Sequence, residues 1–262
     1  MLEILGYIAS IFVGFVLGLL GGGGSILSIP ILVYLFGIEP VLASAYSLFI
    51  VGTTSMVGAV PKYKQQLLNL RTGLIFGIPS IIAIFFTRKW IVPAVPEIVW
   101  QTEYFLLSKR MLILGIFAIL MVLASFSMIR GRREITSNST KFRTFWVVIE
   151  GLLIGFLTGF VGAGGGFLII PALVFLTGLK FKTAVGTSLF IIAINSLSGF
   201  LGDVLTYQID WIFLLSISAL AVLGIFIGNQ FANRISGVVL RKAFGWLTLL
   251  MGSWILLKET LL

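Results

Sequence analysis

The sequence predicts an all-α integral membrane protein, and three observations support this fold class. First, 59% of the 262 residues are hydrophobic and only 10% are charged, with a mean hydropathy of +1.15. A soluble domain carries about 25% charged residues, so this chain has too few charges to cover a water-exposed surface. Second, hydrophobic runs of near-spanning length recur along the chain. Third, two glycine-rich breaks fall at matching places in its two halves.

The hydrophobic runs predict about eight main helices and two glycine-broken half-helices. A helix that crosses the bilayer needs roughly 20 apolar residues, and the runs at 26–36 and 167–177 are too short for that. Lipid offers no partner to backbone N–H and C=O groups, so the glycine runs before these two pieces are expected to face inward. The predicted helices cover residues 4–20, 26–36, 41–60, 72–87, 111–129, 145–161, 167–177, 183–201, 211–231 and 239–257.

The two halves of the chain are related by an internal repeat. The stretch GFVLGLLGGGGSILSIPILVYLFG (14–37) aligns without a gap to GFLTGFVGAGGGFLIIPALVFLTG (155–178), and roughly 20 of about 45 positions at this offset are identical. Such self-similarity indicates a duplication. We therefore divide the chain into a first transmembrane repeat (1–129), a basic cytoplasmic linker (130–143) and a second transmembrane repeat (144–262).

Charges in equivalent loops predict that the two repeats are inverted. Glu39 corresponds to Lys180, and Lys62 corresponds to Asp203, so the signs are opposite. If basic loops are cytoplasmic, the repeats point in opposite directions, as in many secondary transporters. A parallel arrangement stays open, because four basic residues would flank an outside loop: Arg88, Lys89, Lys109 and Arg110.

The residues that are missing argue against an enzyme. The chain has no cysteine and no histidine, which removes thiol chemistry and imidazole ligands. Its nine carboxylates fall mostly between hydrophobic runs, without the spacing of a metal or acid–base pair. We expect no catalytic residues, no cofactor and no metal site. Dispersed basic residues beside apolar spans are typical of a membrane protein, so nucleic acid is not an expected partner.

The two glycine runs are the strongest candidates for a binding site. Glycine lets backbone amides approach a ligand, and the helix that follows begins with unpaired N–H groups and a partial positive charge. Two such helix starts that meet at a two-fold axis would hold a small anion without a charged side chain. Close packing through small residues is the alternative. The candidate residues are Gly21, Gly22, Gly23, Gly24 and Ser25 in the first run and Gly162, Gly164, Gly165 and Gly166 in the second.

The helices after the glycine runs carry polar side chains at matching depths. Ser47 and Ser55 share one helix face, as do Ser188 and Ser196 in the second repeat. Contact with a substrate or ion is one interpretation, and a hydrogen bond to the helix's own carbonyl groups is the other. The candidates for the site are Ser47, Thr53, Thr54, Thr187, Ser188 and Asn195.

Glu150 is the one carboxylate that the sequence places inside a hydrophobic run, FWVVIEGLLIGF. An acidic residue within the membrane is a functional candidate, so Glu150 is a candidate for a coupling residue. Because it lies about two helical turns from the basic linker, anchoring at the interface is the favoured interpretation.

The repeated motifs resemble the TauE/SafE sulfite exporter family. They are GLLGGGGSILSIPIL and GFVGAGGGFLIIPAL, followed by ASAYSLFIVGTTS, AVGTSLFIIAINS and GDVLTYQIDW. The resemblance extends from Gly14 to about Leu257 and implies a multi-pass permease of the cell membrane for a small sulfur-containing anion. The matching residues are Gly21 to Ser25, Gly162 to Gly166, Ser47, Thr187 and Ser188. Where the family often has Gly-Thr-Ser in both helices, the first repeat has Ala45-Tyr46-Ser47.

These observations predict a secondary carrier for sulfite or an organosulfonate, working by alternating access around the two glycine breaks. An anion channel, or a carrier for a different small anion, is the alternative. The expected partners are the anion and the lipid bilayer. Further candidate partners are a coupling ion, either a proton or sodium, and a second copy of the chain.

Overall fold

The computed structural model describes residues 2–101, 106–130, 140–162 and 164–261. It confirms an all-α fold. The helices are α1 (Leu2–Leu20), α2 (Ser25–Tyr34), α3 (Pro40–Lys64), α4 (Leu70–Phe86), α5 (Val92–Ala94), α6 (Lys109–Arg130), α7 (Thr140–Val161), α8 (Gly166–Thr177), α9 (Phe181–Val204), α10 (Trp211–Arg234) and α11 (Gly237–Leu261). All ten predicted helices are present, and their ends differ from the predicted ends by a few residues.

Three features lie between α4 and α6. A π-helical turn (Thr87–Ile91) and the short α5 extend α4, and they are followed by an antiparallel hairpin of β1 (Ile98–Gln101) and β2 (Leu106–Ser108). Of the predicted linker, residues 131–139 lie outside the described residues, and α7 already begins at Thr140.

Capping residues explain where several helices begin. Glu39 accepts hydrogen bonds from the first backbone N–H groups of α3, which has Pro40 at its start. The Oδ1 of Asn69 accepts the N–H of Thr72 in α4 at 3.0 Å, and Asp210 serves α10 in the same way. Each cap satisfies an N–H group that has no partner inside the helix.

Among the described residues, seven helical segments are long and apolar enough to cross a membrane. They are Ile4–Tyr34, Pro40–Lys64, Leu70–Ala94, Lys109–Arg130, Phe181–Val204, Trp211–Arg234 and Gly237–Glu259, and the shorter apolar helices are Phe145–Val161 and Gly166–Phe175. Many of their outward side chains are exposed and apolar, such as Ile82, Leu123 and Leu250. The protein is therefore a multi-pass membrane protein.

The first apolar segment is a hairpin. Four glycines, Gly21–Gly24, form one 3-10 turn between α1 and α2. Leu17 of α1 lies against Gly24, and Gly6 near the start of α1 lies against the ring of Phe36 beyond α2. The helix α2 therefore runs back along α1. The helices α7 and α8 form a second hairpin, in which Thr158 of α7 lies against Gly165 at the turn.

The remaining contacts pair helices of the two halves reciprocally. The helix α1 packs against α10 while α7, its equivalent in the repeat, packs against α4, which is the equivalent of α10. A Cβ on Gly14 would overlap the carbonyl of Ala221, and one on Gly155 would meet the carbonyl of Ser80. The second contact is the first contact with each residue replaced by its equivalent in the other half, since Gly155 corresponds to Gly14 and Ser80 corresponds to Ala221. The predicted two-fold relation is supported by this reciprocity.

The direction of the paired helices bears on the predicted inversion. Gly199, late in α9, packs against Leu48 early in α3, and Gly186, early in α9, packs against Lys62 late in α3. The equivalent helices α3 and α9 therefore run antiparallel. A two-fold axis that relates antiparallel spanning helices lies in the membrane plane, so this packing supports the inverted arrangement.

Charge differs between the two ends of the molecule. We call the end where α3, α6 and α10 finish the basic end, because its described charges are all positive: Lys62, Lys64, Arg71, Arg130, Lys180, Lys182, Arg234, Arg241 and Lys242. The described carboxylates of the opposite end are Glu39, Glu97, Asp203, Asp210 and Glu259. The positive-inside rule predicts that the basic end is cytoplasmic.

The four basic residues that disagreed with inversion are compensated in the structure. Arg88 lies 3.0 Å from Asp203, Lys109 lies 3.7 Å from Glu97, Arg110 lies 3.3 Å from Glu259, and Lys89 lies over the ring of Trp90. The placement of Lys62 and Asp203 in loops was wrong, since both are buried in the last turns of α3 and α9.

Inverted repeats predict that equivalent positions are reached from opposite sides of the membrane. The exposed Lys64 and Leu205 are equivalent in the repeat, and the chain has no cysteine of its own. We expect Lys64→Cys to react with an impermeant maleimide from the cytoplasmic side only, and Leu205→Cys from the outer side only. Labelling of intact cells and inverted vesicles measures this. Reaction of both from one side would contradict inversion.

Candidate functional site

The two hairpins touch at their glycine turns. A Cβ on Gly22 would overlap the backbone of Gly166, and a Cβ on Gly166 would overlap the backbone of Gly22. Both residues are buried. Only glycine permits backbones to approach this closely, so the two predicted breaks lie together at one place in the core.

The second turn is built from left-handed glycines. Gly162, Gly164 and Gly165 have φ values of +81°, +66° and +67°, which side chains other than glycine adopt at a cost. They reverse the chain within a few residues, and α8 starts immediately afterwards at Gly166. Leu168 and Ile169 donate their N–H groups to the carbonyl of Gly165. The N–H groups that the start of α8 can offer to a ligand are therefore those of Gly166 and Phe167, where the helix has its partial positive charge.

Two free hydroxyl groups lie beside this turn. The Oγ of Ser196 is 2.8 Å from the point where a Cβ on Gly164 would sit, and the hydroxyl of Thr158 lies against Gly165. Their residues are 0% and 2% exposed, and among the described residues neither oxygen has a hydrogen-bond partner. A buried hydroxyl without a partner costs about 1–3 kcal/mol, so both are available to a ligand at the turn.

The hydroxyls near the first turn are already bonded. Ser25 donates to the carbonyl of Gly22 at 2.6 Å, and Ser188, which lies beside Gly21, donates to the carbonyl of Val185 at 2.8 Å. These hydroxyls hold the local backbone. The two turns therefore differ in backbone, since only Gly21 is left-handed in the first, and in the side chains that they offer.

Several other candidate residues stabilise the fold locally. Ser47 shares a 2.5 Å hydrogen bond with Ser28 of α2, which joins the first hairpin to α3. Thr53 donates to carbonyl groups of its own helix, and the hydroxyl of Thr187 accepts the N–H of Asn69 at 3.0 Å. For Thr53 this is the packing interpretation that the sequence left open.

Thr54 and Asn195, which are equivalent in the repeat, keep unpartnered oxygen atoms. Both residues are 0% exposed, and the Oγ1 of Thr54 and the Oδ1 of Asn195 have no hydrogen-bond partner in the part of the chain that the structure describes. The Nδ2 of Asn195 donates to the Oγ of Ser80 at 2.6 Å. Asn195 directly precedes Ser196, whose hydroxyl group lies at the second turn.

Glu150 lies apart from the turns. It lines a cavity of about 270 Å³ between α6, α7 and α8, with Ser127 and Pro171 among its neighbours. Eight residues separate it from Thr158, which is about 12 Å of helix. The carboxyl group therefore does not share a site with the glycine turns.

A separate cavity of about 300 Å³ opens at the end opposite to the basic end. It is lined by aromatic side chains, including Tyr7, Tyr46 and Phe213, and by Asp210. The hydroxyl of Tyr46 accepts the backbone N–H of Asp210 at 2.9 Å. Tyr46, which stands where the family often has threonine, therefore has a structural role, since it holds the start of α10 in place.

Sequence reasoning did not single out Arg88 as a candidate site residue. The expectation of an anion site without a charged side chain stays a prediction, but Arg88 is only 1% exposed inside the segment Leu70–Ala94. Its Nη2 donates to the Oγ of Ser44 at 2.8 Å and lies 3.0 Å from Asp203. The same nitrogen is 2.9 Å from the point where a Cβ on Gly162 would sit. A permanent positive charge thus lies beside the second turn.

Tyr207 completes the surroundings of this ion pair, in the loop between α9 and α10. Burial, and next the negative charge of Asp203, raise the pKa of its hydroxyl above the usual range. The hydroxyl therefore remains protonated at neutral pH and keeps its ability to donate a hydrogen bond.

Comparison with known proteins identifies the family. Residues 6–255 match the family described as sulfite exporter TauE/SafE. The chain belongs to the TauE/SafE sulfite exporter family. This confirms the resemblance that the glycine motifs indicated. It also makes the protein a membrane transporter, in agreement with its seven candidate spans.

Curated relatives of this TauE/SafE protein carry matching names. A "Probable membrane transporter protein" of Xylella fastidiosa (strain 9a5c) is 28% identical over 254 residues, covering 94% of this chain and 92% of the relative. "Probable membrane transporter protein YdhB" of Bacillus subtilis (strain 168) is 27% identical and covers 88% and 90%, respectively. "Probable membrane transporter protein MJ0441" of Methanocaldococcus jannaschii is 28% identical and covers 72% and 69%. No solved structure gives a significant match.

The contact between the hairpins predicts a sharp penalty for side chains at either glycine. We expect Gly22→Ala and Gly166→Ala each to lower the free energy of unfolding by about 1–3 kcal/mol or more, because overpacking forces backbone shifts. The matched control is Gly115→Ala in α6, where a Cβ meets no atom within 4 Å. Thermal unfolding in detergent, followed by tryptophan fluorescence, measures all three. Equal midpoints for the three variants would contradict the contact.

Proposed function

We propose that this TauE/SafE protein is a secondary carrier for a small sulfur-containing anion, such as sulfite or an organosulfonate. The observation that carries the proposal is the second glycine turn. There, the start of α8 and the unpartnered hydroxyls of Ser196 and Thr158 lie side by side in the core. The family is named for the export of sulfite, which supports a sulfur oxyanion as substrate.

The chemistry of the turn suits an oxyanion. Sulfite and sulfonates present several oxygen atoms that accept hydrogen bonds. These anions donate few hydrogen bonds or none. Backbone N–H groups at a helix start, together with hydroxyl groups, offer donors, and the helix adds a partial positive charge. Hydrogen bonds to a charged group are worth about 1.5–3 kcal/mol each, so a few of them offset much of the cost of removing the anion from water.

The hairpin geometry suits alternating access. The hairpin of α1 and α2 starts at the end opposite to the basic end, and the hairpin of α7 and α8 starts at the basic end, so their turns approach each other from both sides. The contact of Gly22 with Gly166 would close a transport path between the two turns at the centre of the protein. Rocking of one half against the other would expose the anion to one face at a time.

Coupling to an ion is a separate part of the proposal. Glu150 is the candidate, because its carboxyl group lines a cavity between α6 and the second hairpin. At about 12 Å of helix from Thr158, it would act by changing how α7 and α8 move and not by contact with the anion. A proton or a sodium ion is the coupling ion that a carboxyl group would bind.

Counterflow in proteoliposomes tests the carrier. We expect the wild-type protein to take up radiolabelled sulfite in a saturable manner and faster when unlabelled sulfite is inside. Ser196→Ala should raise the KM about 10-fold or more, since it removes a hydrogen bond to a charged ligand. The matched control is Ser125→Ala, whose hydroxyl donates to the carbonyl of Val122 in α6.

Two outcomes would overturn the proposal. Ion conductance without counterflow would identify a channel. An equal KM for Ser196→Ala and Ser125→Ala, with normal transport by the wild type, would place the substrate elsewhere than at the second turn.

A further inference from the structure

The guanidinium group of Arg88 has donors that the fold does not use. Its Nη2 bonds Ser44 and pairs with Asp203. Its Nε and Nη1 are buried and have no hydrogen-bond partner within the described residues. Arginine does not lose its proton in proteins and offers five N–H groups in a rigid plane. Arg88 therefore keeps free N–H donors and a fixed positive charge in the core.

The guanidinium group that carries these donors borders the second glycine turn through its Nη2. On α9, Ser196, Gly199 and Asp203 follow each other at spacings of three and four residues, so they share one helix face. Gly199 packs against Ile84, one turn before Arg88 along the same helical segment. Ser196 meets the turn at Gly164 and Arg88 meets it at Gly162. The hydroxyl group of Ser196 and the guanidinium group of Arg88 thus both border the second glycine turn.

Asp203 sets the net charge of this place. It is 1% exposed, and its carboxylate lies 3.0 Å from the guanidinium group. A buried charge without a partner is strongly unfavourable, whereas the pair is neutral. An anion at the turn therefore meets a neutral ion pair and the weakly positive start of α8.

On the basis of the proposed carrier function, we propose that Arg88 binds the transported anion and that Asp203 limits its charge, so that the site selects monovalent oxyanions. The planar fork of arginine matches two oxygen atoms on one sulfur atom, which a spherical halide ion does not provide. A second negative charge on the ligand would face the carboxylate of Asp203 in a medium of low dielectric constant, where repulsion is strong. Sulfonates and hydrogensulfite, the monovalent form of sulfite, meet both conditions, whereas chloride and divalent sulfate each fail one.

The test compares three probes on the purified full-length protein: methanesulfonate, sulfate and chloride at equal ionic strength. Each competes with radiolabelled sulfite in the counterflow assay, which gives an inhibition constant. We expect methanesulfonate to compete at least 10-fold more strongly than sulfate or chloride. Equal competition by sulfate in the wild type would overturn the charge limit, and equal competition by chloride would overturn the arginine fork.

Variants separate the two residues. Arg88→Lys keeps the charge and loses the fork, so methanesulfonate should compete at least 10-fold less well. The matched control is Arg110→Lys, since Arg110 forms a half-exposed ion pair with Glu259 away from the turn. Asp203→Asn should reduce the preference for methanesulfonate over sulfate. The wild-type ratios decide the charge limit even if Asp203→Asn does not fold.

The results also distinguish this inference from the carrier proposal. Absence of counterflow with every probe refutes the carrier. Normal counterflow with the same inhibition constants for Arg88→Lys and Arg110→Lys leaves the carrier intact and shows that the ion pair of Arg88 only stabilises the fold.

Discussion

The bilayer offers no hydrogen bonds to the backbone, and this constraint organises the whole molecule. A helix can be broken inside the membrane only where protein encloses the break. Here both breaks are enclosed: Gly21–Gly24 in the first turn and Gly162, Gly164 and Gly165 in the second are buried, and the two hairpins touch at Gly22 and Gly166. The long helices α3 and α9 pack against each other beside them. The same enclosure removes water from the polar groups of the breaks, which strengthens their interaction with an anion.

The two breaks have similar sequences and differ in the side chains around them. At equivalent positions, Arg88 and Asn229 differ, as do Ser44 and Val185. A buried cation therefore lies at the second turn, where hydroxyl groups are also free. The first turn uses its hydroxyl groups to hold its own backbone. The two halves of the scaffold are similar, but the proposed ligand binds at the second turn and not at the first. This difference between the turns is central to the proposed function.

The sequence predicts the scaffold well because apolar length and glycine content are local properties. All ten helices and both breaks follow from them, whereas the family was indicated by the resemblance of the repeated motifs and shown by the family match. The sequence does not predict partners that are distant along the chain. The burial of Arg88 depends on Asp203, which is remote in sequence, and Arg88 alone resembles any basic residue at the end of an apolar run. Thr187 belongs to the family motif, yet its hydroxyl accepts the N–H of Asn69, which no local pattern reveals.

Diffraction from crystals soaked with bromomethanesulfonate tests the central claim directly, because this monovalent oxyanion carries a bromine atom that scatters anomalously. The account predicts one anomalous peak beside the second turn, with the sulfonate bordered by Gly164, Ser196 and Arg88. A peak in the aromatic cavity lined by Tyr7 and Tyr46, with none at the turn, would contradict it.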